Sequence, residues 1–342
     1  MIQAVLLFIA GLAALIKGGD WFVDGASGIA KRLHVPEIII GATVVSIGTT
    51  LPEVMVSASA AVTGHGEIAY GNALGSIICN TALISALTMA IRPSNVERKS
   101  FLTPVLFFFG AIAFYAVNAY AFGEFSRLSG IILLVIFCAY VAVILWQEKK
   151  KRAALPGGGT AIVPETEDQN GAAGSEAEVK GAEKEMPLWK EILFLVLGAA
   201  LIAVGARLLV DNGTILATIL GVPESVIALT FVALGTSLPE LVTAVTSLIK
   251  GHSALSLGNI IGANLFNLVL VAGLSTTLSP YKVPAGKTIF GVNASLALDI
   301  PLCFLVMALL ALPALKKEKV MRWQGIVLLV IYAAYIAFQF FF

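Results

Sequence analysis

Charge is what this sequence has least of. Asp, Glu, Lys and Arg make up 13% of its 342 residues, about half the share found in a soluble domain. The signs nearly balance, at a net charge of +1, so no basic face is available for a nucleic-acid partner. Cysteine is also scarce. Cys79, Cys138 and Cys303 each fall within an apolar run. An odd number so placed gives neither a disulfide framework nor metal-ligand spacing, and all three read as small core residues. No nucleotide motif and no catalytic His or Cys cluster is present, so the sequence points away from an enzyme and implies no cofactor. His65 and His252 follow Gly64 and Gly251 and read as interfacial turn residues.

What remains is apolar: 58% of the residues are hydrophobic and the mean hydropathy is +0.93. A membrane span needs about 20 such residues, and ten candidates lie near 2–22, 36–62, 68–91, 101–121, 128–147, 188–210, 224–249, 254–278, 289–312 and 324–342. The first does not read as a signal peptide, because it lacks a basic start and a cleavage site and has a partner segment in the second half. The fold expected is therefore an all-α polytopic membrane protein. Its parts are a first five-helix repeat over 1–147, a polar linker over 148–187 and a second five-helix repeat over 188–342. The linker opens Glu148-Lys-Lys-Lys-Arg152, continues rich in Gly, Ala and Glu with no aromatic residue, and reads as a flexible tether.

The halves are related by duplication. Residues 48–80 align without a gap to 235–267 at an offset of 187, with 11 identities, and the same offset pairs Asp24 with Asp211, Pro36 with Pro223 and Glu37 with Glu224. Five spans per repeat make the second copy enter the membrane from the opposite side, so the repeats are inverted. Of the 22 Lys and Arg residues, 17 fall in connections 1–2, 3–4, 5–6, 7–8 and 9–10. The positive-inside rule then places the linker in the cytoplasm of a bacterial-type plasma or inner membrane, with both termini outside. Asp24 and Asp211, near the predicted ends of spans 1 and 6, read as helix caps.

Glu53 and Glu240 lie inside apolar spans at repeat-equivalent positions, and spans 2, 3, 7 and 8 hold no Lys or Arg to pair with them. An ionisable group at that depth costs roughly 2.5–3.5 kcal/mol to insert and marks a site or pathway. Pro52 and Pro239 stand four residues after Gly48 and Gly235. Each removes a backbone hydrogen bond and is expected to kink or break its helix, leaving carbonyls open beside the hydroxyls of Thr49, Thr50, Thr236 and Ser237. Spans 3 and 8 face them with Asn72, Ser76 and Asn80, and with Asn259, Ala263 and Asn267, at steps of four. Asn72 and Asn259 also have a plain reading as bridges between helices. Gly71, Gly75, Gly258 and Gly262 are expected to let helices approach closely. An all-oxygen site of charge about −2 fits Ca²⁺ or Na⁺, and the lack of His and Cys weighs against softer metals. Asp299, expected inside span 9, has Ile112 as its repeat partner and no role beyond a hydrogen bond to backbone freed by Pro301.

With these residues the chain resembles the sodium/calcium exchanger family of the calcium/cation antiporters, in its short prokaryotic form. Gly48-Thr-Thr-Leu-Pro-Glu53 and Gly235-Thr-Ser-Leu-Pro-Glu240 look like that family's α-repeat openings, and GNALGSIICN and GNIIGANLFN like the closings. The resemblance implies exchange of several Na⁺ for one Ca²⁺ by alternating access, in a monomeric transport unit within the lipid bilayer. Glu53 and Glu240, with backbone oxygens near Thr49 and Thr236, would form the central site. Ser76, Asn80 and Asn267 would complete flanking Na⁺ positions, and spans 1 and 6 would slide across the core. Asn267 stands where K⁺-dependent relatives carry Asp, which implies a K⁺-independent exchanger. Ala263 replaces an expected serine and removes a hydroxyl. A Ca²⁺/H⁺ or other divalent-cation/proton antiporter is the competing reading.

Overall fold

A helix ends where a left-handed residue and a proline meet, and the first one here does so late. Helix α1 runs Ile2–Leu33, closed by His34 at φ 51° and followed by Pro36. The computed structural model describes residues 1–153, 186–220, 235–284, 288–289 and 292–341. After α1 come α2 (Glu37–Val62), α3 (Gly66–Ile91), α4 (Arg98–Phe122) and α5 (Arg127–Ala153). The second half has α6 (Leu188–Ile219), α7 (Leu238–Ile249), α8 (Ser253–Leu278), α9 (Ser295–Lys317) and α10 (Arg322–Phe341). Among the described residues nine of these are long and apolar enough to cross a membrane. The earlier part of span 7 and most of the linker lie outside the described residues, as does Glu224.

The repeat is visible in the helix ends. The bounds of α8 are those of α3 moved by 187 residues. Gly64 and Gly251, at the turns before them, share φ values of +83° and +85°, a conformation that favours glycine. The ten helices form two inverted sets of five.

Burial sorts the helices into layers. In its most apolar stretch α8 is 89% buried, α3 67% and α2 61%, against 28% for α1 and 22% for α6. Across the halves, α2 and α8 touch through small residues. A Cβ on Gly41 would lie 2.5 Å from Leu255 O, and one on Gly262 would strike Ser46 Oγ and Ala42. Gly258 is equally pressed against the Ile38 backbone. For Gly71 and Gly75 no described atom comes within 4 Å of such a Cβ. A second pair, α1 and α6, is packed backbone to backbone. Gly11, Gly18 and Gly25 face α6, while Gly198 and Gly205 face α1, all with virtual Cβ contacts of 2.5–2.9 Å. Such small-residue seams hold membrane helices together where no hydrophobic force separates protein from lipid. Elsewhere the core is aromatic, with Tyr115 stacked on Phe125 at 4.2 Å and Phe266 held edge-on by Phe137 and Tyr140.

Several expectations are corrected. Asp24 and Asp211 do not cap helices, because α1 and α6 continue past them to Leu33 and Ile219. Asp24 instead binds Lys250, and Asp211 pairs with Arg207. Cys138 is exposed on α5, whereas Cys79 and Cys303 are buried as expected. Pro52 does not break its helix. Ser46–Val62 is continuous through it, and the irregularity lies upstream in a π-helical turn at Gly41–Val45. In the second copy the expectation holds: helix resumes at Leu238 after a turn at Thr236 and Ser237, with Pro239 in its first turn. Proline is tolerated there because the N–H it lacks would have no helical partner.

Basic residues gather at one end of the bundle. Arg32 pairs with Glu191 at 3.0 Å and also binds Met186 O, Arg92 donates to Leu248 O, and Lys250 reaches Asp20 and Asp24. His252, an interfacial turn residue as expected, holds Glu37 at 2.7 Å.

Candidate cation site

At the centre, α2 and α7 bring their glutamates together. Glu53 and Glu240 are fully buried, and the Glu53 carboxylate feels the charge of Glu240. All four carboxylate oxygens lack a hydrogen-bond partner, and among the described residues no cation pairs with either acid. Two facing, buried, unpaired carboxylates are strongly unfavourable unless something positive neutralises them. Protein groups do not supply that charge here.

The surrounding polar groups divide into two kinds. Some are already committed to holding the halves together. Thr49 Oγ1 donates to Asn259 Oδ1 at 3.2 Å, and its repeat partner Thr236 Oγ1 donates to Asn72 Oδ1 at 3.3 Å. These two bonds are related by the pseudo-twofold of the repeats. Asn72 also donates to Ser57 Oγ at 2.8 Å and to Glu53 O at 3.3 Å, and Ser46 Oγ donates to Asn259 O at 2.9 Å. Asn72 and Asn259 therefore act as bridges, and the Thr49 and Thr236 hydroxyls are engaged with them.

The others are open. Thr50 Oγ1, Ser237 Oγ and both side-chain polar atoms of Asn80 and of Asn267 are buried without a partner. Thr49 and Thr50 lie beside the Glu240 carboxylate, so the first copy contributes to the second copy's acid. Ser76 is buried on the same helix as Asn80, one turn away. Counting carboxylate, hydroxyl and amide oxygens, Glu53, Glu240, Thr50, Ser237, Asn80 and Asn267 carry eight unpartnered oxygen atoms. A hard cation takes six to eight oxygen ligands at a flexible site, so the donor set fits Ca²⁺ as cargo.

Two features were not legible in the sequence. Asn80 and Asn267 each open a six-residue π-helical segment, Asn80–Ser85 and Asn267–Ala272. Such segments are rare and recur at functional sites, and no residue pattern here announces them. Cys79, read as a core filler, sits beside Ser237 and Tyr332 at the edge of the site. Asp299 lies in a π-helical turn, Ser295–Asp299, with the Tyr335 hydroxyl 3.5 Å away. It stands apart from the central acids. His65 makes a local contact with Thr63 at 3.1 Å.

The two flanks of the site differ. At the end opposite the basic cluster, Met55, Val56 and Ile68 on α2 and α3 are exposed beside a shallow surface depression. At the basic end the corresponding surface is covered by α1. A Cβ on Gly19 would lie 2.7 Å from Val242 and 2.8 Å from Thr246, and Lys250 ties the turn beyond to Asp20 and Asp24.

An inverted repeat, interrupted helices and a buried pair of unpartnered acids, one from each copy, are the marks of a secondary transporter. The family model for "Sodium/calcium exchanger protein" matches residues 3–146 and 190–341, and the chain belongs to that family. It is a multi-pass membrane protein of the cation antiporter class. Over 340 residues it is 32% identical to the "Putative antiporter CaxA" of Alkalimonas amylolytica, covering 98% of each chain. The "Sodium/calcium exchanger MaX1" of Methanosarcina acetivorans is 31% identical over 358 residues, again with 98% of each covered. A solved structure of the sodium-calcium exchanger NCX_Mj, soaked with 2.5 mM Na⁺ and 0.1 mM Ca²⁺, superposes with a TM-score of 0.75 at 30% identity, covering 98% of both chains.

Proposed function

We propose that this chain exchanges Na⁺ for Ca²⁺ by alternating access at the Glu53–Glu240 centre. The observation that carries the reading is the facing pair of buried carboxylates with no protein cation, ringed by unpartnered oxygens. Glu53 and Glu240 hold the divalent ion. Thr50 and Ser237 contribute hydroxyls, and Thr49 and Thr236, whose own hydroxyls are engaged, contribute backbone carbonyls. Ser76, Asn80 and Asn267 serve flanking Na⁺ positions. The names of MaX1 and NCX_Mj as sodium/calcium exchangers support the choice of ions.

The flanks supply the access cycle. Met55 and Val56 on α2 are exposed, whereas their repeat partners Val242 and Thr243 are covered by α1 or buried, and on this reading the α1–α6 pair moves against the core to exchange the two arrangements, as one bundle rocks on another in inverted-repeat carriers. The basic end faces the cytoplasm under the positive-inside rule, with both termini outside, and the single chain is the transport unit. Residues 1–147 and 188–342 form the two repeats, joined by the tether.

The test is radiolabelled Ca²⁺ uptake into Na⁺-loaded proteoliposomes diluted into Na⁺-free buffer, for the parent protein, Glu53→Gln and Glu240→Gln. Uptake that needs internal Na⁺ and disappears in both variants is expected. Uptake that ignores Na⁺ and follows a pH gradient replaces Na⁺ with H⁺ as the coupling ion. No Ca²⁺ flux under either gradient overturns the ion assignment.

A further inference from the structure

The repeats are unequal between the central acids and the two membrane surfaces. Beyond Glu53 the first copy presents Val56, Ala60 and Ala69, and the repeat partners beyond Glu240 are Thr243, Ser247 and Ser256. All three are at most 2% exposed, and none of their hydroxyls has a hydrogen-bond partner. Thr243 and Ser247 follow Glu240 by three and seven residues on the buried face of α7. Ser256 stands level with Ser247 across the turn to α8: His252 donates its N–H to Ser247 O at 2.8 Å and accepts from Ser256 N at 3.1 Å. A fourth open group is Asn259 Nδ2. Its counterpart on Asn72 donates to Ser57 Oγ, but the partner of Ser57 is Ala244, so this amide has nothing to donate to. One turn deeper, Ala244 and Ile260 share an apolar cluster, which places the stripe between α7 and α8.

Buried polar groups are nearly always satisfied by protein or by ordered water. Here the fold does not require them, since aliphatic side chains fill the same positions in the first copy. Four orphaned polar atoms on α7 and α8, between Glu240 and the turn at the basic end, therefore mark a place for something that enters with water.

We propose that Thr243, Ser247, Ser256 and the Asn259 amide form a way-station for a partly hydrated alkali cation between Glu240 and the basic end, a site the opposite half-path lacks. It rests on Glu240 being a cation ligand. Three neutral hydroxyls offer oxygens without charge, so they hold a monovalent ion that keeps some of its water. A divalent ion relies on carboxylates to leave its own hydration shell, and the nearest is Glu240 itself. Asn259 Nδ2 can only donate, so it holds a water of that shell. In this conformation α1 closes the path, and the way-station fills when α1 withdraws from Val242 and Thr246.

The experiment uses the full-length protein with Ser247→Cys or Ser256→Cys, and Val56→Cys as the opposite-side control, each compared with the parent carrying its own three cysteines. A membrane-impermeant cationic methanethiosulfonate is applied to each face of membrane vesicles separately, in Na⁺ or in choline. Ser247→Cys and Ser256→Cys are expected to react from the basic-end face alone, and about fivefold more slowly in Na⁺ at roughly four times its half-saturating concentration. Val56→Cys is expected to react from the other face with no Na⁺ effect. Reaction from neither face, from the wrong face, or at the same rate in both salts overturns the proposal. A transport measurement adds a second arm. With Thr243→Val and Ser247→Ala together, half-saturating Na⁺ rises about fivefold on the basic-end face alone; equal shifts on both faces overturn the proposal. The labelling arm involves no divalent ion, so it decides on the way-station even if the exchanged divalent ion is not Ca²⁺.

Discussion

Lys250 holds the basic end shut in this conformation, and removing its charge should open that end by a calculable factor. Its Nζ lies 2.8 Å from Asp24 Oδ1, 3.4 Å from Asp20 Oδ1 and 3.0 Å from the Asp20 carbonyl, joining the α7–α8 turn to α1. The lysine side chain is 24% exposed and the aspartates 41%, so solvent screens the pairs and each falls at about 0.2–1 kcal/mol. With roughly 0.5 kcal/mol for the carbonyl bond, the clasp contributes about 1–2.5 kcal/mol, or roughly a 5–60-fold shift between closed and open basic ends. Among the described residues the opposite end has no such device. Thr63 is the repeat partner of Lys250, and Arg207 that of Asp20; Arg207 pairs within its own helix with Asp211, at 3.6 Å. Pulsed EPR between spin labels at Lys31 on α1 and Lys317 on α9 reads the populations directly. In Lys250→Gln the ratio of long- to short-distance populations should rise by that factor, and the difference should shrink in 0.5 M salt, where the Debye length falls to about 4 Å. Thr63→Lys combined with Arg207→Asp should shift the population toward the open basic end by closing the opposite one. Unchanged distances in Lys250→Gln, or an equal change in Thr63→Gln, would refute the clasp.

Three further outcomes follow from the same contacts. Glu53→Gln or Glu240→Gln should abolish Ca²⁺-induced thermal stabilisation yet raise the ion-free Tm by a few degrees, because each replaces an unpaired buried acid with a neutral isostere. Scanning fluorimetry in detergent, with and without Ca²⁺, checks both signs. Thr49→Val should lower stability by about 1 kcal/mol through the lost bond to Asn259 while leaving Ca²⁺ binding in place. Thr50→Val should do the reverse, and calorimetric titration with thermal unfolding separates the two. Gly262→Ala drives a methyl into Ser46 and Ala42 and should cost about 1–3 kcal/mol, read as a fall in Tm.

The central acids were legible because the membrane makes charge expensive. Glu53 and Glu240 stand out in apolar spans with no cation in reach, and a gapless 187-residue offset pairs them. The same offset predicted the equal turns at Gly64 and Gly251, since only glycine tolerates that φ without strain. What the sequence could not show depends on three-dimensional partners. Thr49 and Thr50 are adjacent and chemically alike, yet one is engaged by Asn259 and the other is open. That difference is set by which face of α2 meets α8. Proline chemistry was a poor guide for the same reason: Pro52 sits within a continuous helix whose irregularity moved to Gly41–Val45, while Pro239 begins one.

The duplication explains the site, and its failures bias which end state the protein favours. A strict inverted repeat would make the two end states equal in energy, with identical paths to either surface. This chain breaks the equivalence at Thr63 and Lys250, at Arg207 and Asp20, and at Val56, Ala60 and Ala69 against Thr243, Ser247 and Ser256. On the proposed reading the residues matched between the repeats, Glu53 and Glu240 above all, hold the divalent ion, because a midplane site must serve both faces alike. The asymmetric ones lie between that site and the surfaces, where a difference in side chain alters one end state and leaves the other untouched. Exchanging the residues of one flank for those of the other should therefore change the sidedness of Na⁺ affinity without changing Ca²⁺ binding at Glu53 and Glu240.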